Sequence, residues 1–109
     1  MPTKIHQSIS ISGLSAGDIL QVKAEGNKIY TFQFIDPQRG EVWLKREHTP
    51  RVKGFILGSA STEEHRLFTG EAVLGFRLIF QNSALQAPKD MQALPVTRKV
   101  WLNEEIVLQ

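Results

Sequence analysis

The segment WLKREHTPRVKGF, residues 43–55, sets Lys45, Arg46, His48, Arg51 and Lys53 between the rings of Trp43 and Phe55. Aromatic faces interleaved with Lys and Arg suit single-stranded nucleic acid, because bases stack on the rings while the cations follow the phosphates. Over residues 39–53, the five cations Arg39, Lys45, Arg46, Arg51 and Lys53 meet two acids, Glu41 and Glu47, a local excess of +3. The whole chain carries +2, so positive charge is concentrated here and the remainder is slightly acidic. Lys99 and Trp101 repeat the pairing of a Lys and an indole two residues apart. A competing explanation is that Lys and Arg on a hairpin edge discourage strand-to-strand aggregation.

Other chemistry is weaker. GLSAG at 13–17 has the G-x-S-x-G spacing of a hydrolase nucleophile elbow, which works only on a strand-to-helix turn. The residues that follow, DILQVKA, alternate as a strand, so Ser15 is expected to be a turn residue. His6, His48 and His65 fall in no metal-ligand spacing, and no phosphate-cradling glycine motif is present. No metal and no cofactor are expected, and no residue pattern nominates an enzyme. Arg77 lies in the most apolar run, AVLGFRLIF (72–80), on the face it would share with Gly75. The space beside that glycine makes Arg77 a candidate contact for an anion or partner backbone, unless it pairs with an acid on the next strand.

These residues need elements to position them, and the dominant period is two. Leu74, Phe76, Leu78 and Phe80 share one face of 72–80, and Tyr30, Phe32 and Phe34 share one face of 28–35. Leu20 and Val22 alternate with Gln21 and Lys23, while Val96, Val100 and Leu102 oppose Thr97, Lys99 and Trp101. Such alternation marks half-buried strands. The stretches GLSAGD, EGNK, DPQRG and HTPR between them are turn chemistry. Strands are expected near 5–11, 18–25, 28–35, 41–47, 52–58, 66–69, 72–80, 96–102 and 105–108. One short helix is expected near 83–94, where Pro88 can open it and Pro95 lies beyond it, and SASTEEHR (59–66) can form a single helical turn.

The fold class expected is all-β: one domain over 1–109, a small barrel or compressed sandwich of seven to nine mostly antiparallel strands. A chain of this length buries roughly 65% of its unfolded surface, enough for one core. Zero cysteines exclude disulfides and thiolate chemistry. The first residues hold no apolar run of signal-peptide length, and no window reaches the ~18 apolar residues of a membrane helix. A cytoplasmic protein with no membrane partner is expected.

The function expected is a non-enzymatic binding module. It would contact nucleic acid or an acidic partner through Arg39, Trp43, Lys45, Arg46, Arg51, Lys53, Lys99 and Trp101, with the indoles outward. The alternative is a protein–protein or self-assembly module, a homo-oligomer closed through Trp43, Trp101 and the surface around Gly75.

Overall fold

The computed structural model describes residues 7–61, 66–83 and 91–109. These residues form ten strands: β1 (Ser8–Ser10), β2 (Ile19–Ala24), β3 (Lys28–Asp36), β4 (Glu41–Arg46), β5 (Val52–Ser61), β6 (Arg66–Thr69), β7 (Glu71–Val73), β8 (Arg77–Asn82), β9 (Met91–Leu102) and β10 (Glu105–Leu108). A single 3-10 turn, Ile11–Gly13, follows β1. The protein is all-β, as the alternating pattern requires, and every strand pairing is antiparallel.

Eight strands pair in the order β10-β9-β2-β3-β4-β5-β6, with β8 joining β5 to β9, and β1 pairs with β7 separately. Backbone groups of adjacent strand residues point to opposite edges, which decides how β8 closes this path. The Val96 carbonyl accepts from Glu25 N–H at 2.8 Å, on the β2 side. The next residue, Thr97, donates to the Phe76 carbonyl at 2.8 Å and accepts from Gly75 N–H at 2.9 Å, on the β8 side. At Gly54, β5 likewise faces Val42 of β4 on one edge and Asn82 of β8 on the other. The pairings therefore run β2-β3-β4-β5-β8-β9 and return to β2.

Inward residues of this circuit make the core. Leu20, Phe32, Val42, Leu44 and Val100 are wholly inaccessible, and the rings of Phe32 and Phe80 lie 6.5 Å apart. The small β1–β7 sheet is tied on by a buried hydroxyl: Ser59 Oγ donates to the Glu71 carbonyl at 2.8 Å and accepts from Val73 N–H at 3.1 Å.

The structure departs from the expected elements in three places. The strand 72–80 is broken at 74–76, giving β7 and β8 and bringing the strands to ten rather than seven to nine. Gly75 takes φ 85° there, which turns the chain at no steric cost, so it shares no strand face with Arg77. The last long strand begins at Met91 rather than 96, so 91–94 is strand and not the end of a helix. Residues 84–90, the rest of the expected helix, lie outside the described residues. So do 62–65, the middle of the expected helical turn, whose flanks belong to β5 and β6. Pro95 cannot donate to a ladder, and it is accommodated where the β8–β9 register shifts, between Arg77↔Val96 and Ile79↔Ala93.

The turn before β2 is held by one carboxylate. Asp18 Oδ2 accepts from Ser15 N–H at 2.8 Å, and Asp18 Oδ1 accepts from Asn103 Nδ2 at 3.0 Å. Asn103 Oδ1 in turn accepts from Ile19 N–H at 2.9 Å, joining this turn to the β9–β10 turn. The Ser15 N–H, and then Asn103, hold the Asp18 carboxyl below the ordinary aspartate value. A lowered folded value means stability present above the ordinary value near 4 and lost as pH falls through the folded one. Asp18→Ala is thus expected to unfold at lower urea concentration at neutral pH, with the gap to the native chain closing as the pH drops below about 4.

Gly54 sits where β4, β5 and β8 crowd together. A Cβ there would stand 2.3 Å from the Gln81 carbonyl oxygen and 2.4 Å from the Phe80 ring. Gly54→Ala is expected to lower stability by about 1–3 kcal/mol in urea unfolding, the usual cost of overpacking, because backbone and a core ring must both shift.

Candidate functional site

In β4 the buried side chains are Val42 and Leu44, so Trp43 between them must project outward. In β9 the same logic applies to Trp101, which follows the inaccessible Val100. Both indoles are half-buried on the outside of one continuous sheet, the β9-β2-β3-β4-β5 face. They are three strand spacings apart, roughly 14 Å across the sheet.

Each indole carries a cation. The Arg51 guanidinium carbon lies 4.3 Å from the Trp43 ring centroid, and Lys99 Nζ lies 5.2 Å from that of Trp101. Each also has a glutamine as cross-strand neighbour, Gln33 opposite Trp43 and Gln21 opposite Trp101. Lys53 stands on the other side of Trp43 and pairs with Glu41 at 3.7 Å. A shallow depression of about 230 Å³ runs along Ile19, Thr31, Gln33, Trp43, Lys45 and Arg51. A second, of about 390 Å³, shares Ile19 and Thr31 and continues to Gln21, Asn103 and Glu104 beside Trp101. The two form one furrow running from Trp43 to Gln21, the cross-strand neighbour of Trp101.

The remaining expected site residues are distributed unevenly. Lys45 belongs to the furrow wall, but its ammonium turns back and donates to the carbonyls of Arg46, at 2.9 Å, and Thr49. It thereby caps the β4–β5 turn that presents Arg51. Arg39 lies at the far end of the same face, its guanidinium carbon 5.7 Å from the Phe55 centroid. Arg46 is elsewhere: it has the inward parity of Leu44, reaches Gln92 Oε1 at 2.6 Å and lies 5.6 Å from the Tyr30 centroid. It fills an end of the strand circuit, so the 39–55 hairpin does not present its cations as one cluster.

Arg77, on β8, is held by backbone rather than by an acid. Its Nε donates to the Leu94 carbonyl at 2.9 Å and a terminal nitrogen to that of Ala93 at 3.4 Å, where Pro95 interrupts the ladder. The guanidinium thus supplies donors to two β9 carbonyls beside the break in the ladder. Ser15 is a turn residue, with its N–H given to Asp18 as described above. Of the histidines, His48 occupies the β4–β5 turn with φ 62°, and His6 and His65 lie outside the described residues. Among the described residues no group of three or more metal-ligating side chains comes together, and no helix is long and apolar enough to cross a membrane.

Several furrow residues were not singled out by sequence: Ile19, Gln21, Thr31 and Gln33. Their outward parity is readable in one dimension, but their adjacency to the indoles depends on cross-strand register. Comparison with protein-family models, curated proteins and solved structures finds no match to this chain.

The cations over both rings make the furrow's anion preference measurable. Iodide is expected to quench tryptophan fluorescence more strongly than caesium, and Arg51→Ala to narrow that difference. Blue-shifted emission that neither ion quenches would contradict the outward placement.

Proposed function

We propose that the outer face of β9-β2-β3-β4-β5 binds single-stranded nucleic acid without catalysing a reaction on it. The observation that carries this reading is the outward placement of two half-buried indoles on one sheet face, each with a cation over its ring and a carboxamide beside it. The protein's own contacts on this face are weak enough to be exchanged. An exposed cation–π pair contributes about 0.5–1 kcal/mol, whereas a base stacked on an aromatic contributes about 1–3 kcal/mol. A base can therefore take the Trp43 face and release Arg51 toward a phosphate. The Lys53–Glu41 pair, with the lysine side chain 45% and the glutamate 16% exposed, places a second cation beside Trp43.

A second reading is self-association. Ile106 at 47% and Val107 at 38% exposure lie on β10, whose only partner among the described residues is β9. Ile106 also flanks Trp101 in register, so a second copy could cover both. Light scattering separates the two: a monomer at micromolar concentration removes this second reading.

Binding of a short labelled oligothymidylate, followed by fluorescence anisotropy, tests the first. Affinity is expected to fall steeply with salt. Arg51→Ala and Lys53→Ala should each reduce the salt slope by about one. Trp43→Ala and Trp101→Ala should each weaken binding by about 1–3 kcal/mol while leaving the slope unchanged. Arg46→Ala, on the other face, should change neither. Affinity insensitive to ionic strength would overturn the proposal.

A further inference from the structure

Next to Trp101 the sheet contains an arrangement that folding does not call for. Lys23 of β2 and Lys99 of β9 are direct cross-strand partners. Like charges directly opposite one another destabilise a sheet. Both lysines are half-buried, and among the described residues neither has an ion-pair partner. The acid just beyond β2, Glu25, is already taken: Arg98 pairs with it at 2.6 Å. That pairing follows from an irregularity in the ladder. The register moves from Lys23↔Lys99 to Ala24↔Thr97, leaving Arg98 as the extra residue, directed to Glu25. The bulge thus engages Glu25 with Arg98 and leaves both lysines without a carboxylate, Lys99 resting its ammonium 5.2 Å from the Trp101 ring centroid, from which a phosphate could draw it.

The next register pair is Gln21↔Trp101. Residues two apart on a strand are separated by roughly 7 Å, and cross-strand partners by about 5 Å. Two ammonium groups, an indole and a carboxamide therefore rise from one small quadrilateral on the outer face. An anion between the lysines would relieve their repulsion. A planar base joined to that anion through a sugar would reach the Trp101 face, where the Gln21 amide offers one donor group and one acceptor to its edge.

We infer that Lys23, Lys99, Trp101 and Gln21 form a nucleotide subsite, with the phosphate between the lysines and the base on Trp101. The inference rests on the strand-binding reading and deepens it by fixing where one phosphate and one base lie. Trp43 and Gln33 supply the stacking position at the other end of the furrow.

The test uses the full chain carrying Trp43→Phe, which leaves Trp101 as the sole indole. Thymidine monophosphate is expected to quench Trp101 at concentrations at least about fivefold lower than thymidine, because the phosphate adds a charge-assisted contact worth a factor of that order. Lys23→Gln and Lys99→Gln should each abolish this advantage, while Gln21→Ala should weaken both ligands. Lys23→Gln should also melt higher than its parent when no phosphate compound is present, which establishes that the variant is folded. Equal quenching by nucleotide and nucleoside would overturn the subsite. Tight, salt-dependent oligothymidylate binding unaffected by Lys23→Gln would do the same while leaving the strand-binding reading intact. Nucleotide quenching without any oligothymidylate binding would support the subsite and remove strand binding.

Discussion

Burial of alternate residues is the constraint on which the sheet's outer chemistry depends. In β4, Val42 and Leu44 are completely withdrawn from water, and a slip of one residue would exchange them for Trp43 and Lys45. Burying a Lys without a partner costs several kcal/mol, far more than any outer contact contributes. The same holds in β2, where Leu20 and Val22 are inward and Gln21 and Lys23 outward. Four adjacent strands are locked in this way, so the furrow inherits its geometry from the core. The outer side chains do not need to hold one another in place.

Where regularity fails, the departures aim particular side chains. The turn at Gly75 separates β7 from β8 and lets Phe76 return to the interior. At the register shift around Pro95, Arg77 donates to the carbonyls of Leu94 and Ala93. The shift at Arg98 rotates that cation away from Lys99. Gly54 and Gly40 allow β5 to approach its neighbours closely, since a Cβ at either would collide with backbone oxygen. Two of these three irregularities lie on β9, the strand that faces β2, β8 and β10 in turn.

Much of this was legible in the sequence because period-two alternation is a local signal. Seven of the expected strand segments correspond to observed ones within a few residues, and the outward direction of Trp43 and Trp101 follows from their neighbours. What escaped is non-local or irregular. Nothing near Gly75 distinguishes a glycine inside a strand from one that ends it. The apolar residues of 91–94 were too few to suggest a strand ahead of Pro95. Arg46 looked like one more cation of the hairpin, although strict alternation from Leu44 assigns it the inward side. The lysine pair was invisible because residues 76 positions apart become neighbours only through register.

The closed circuit of pairings also shapes how this surface can change. Each strand under the furrow has a paired strand on both sides, so none is an open edge that needs an outward side chain for protection from stray pairing. Substitutions along Gln21, Thr31 and Gln33 therefore leave the strand order, which backbone pairing and the core set, unchanged. The chemistry of the outer face can drift across generations of sequence while the scaffold beneath stays constant.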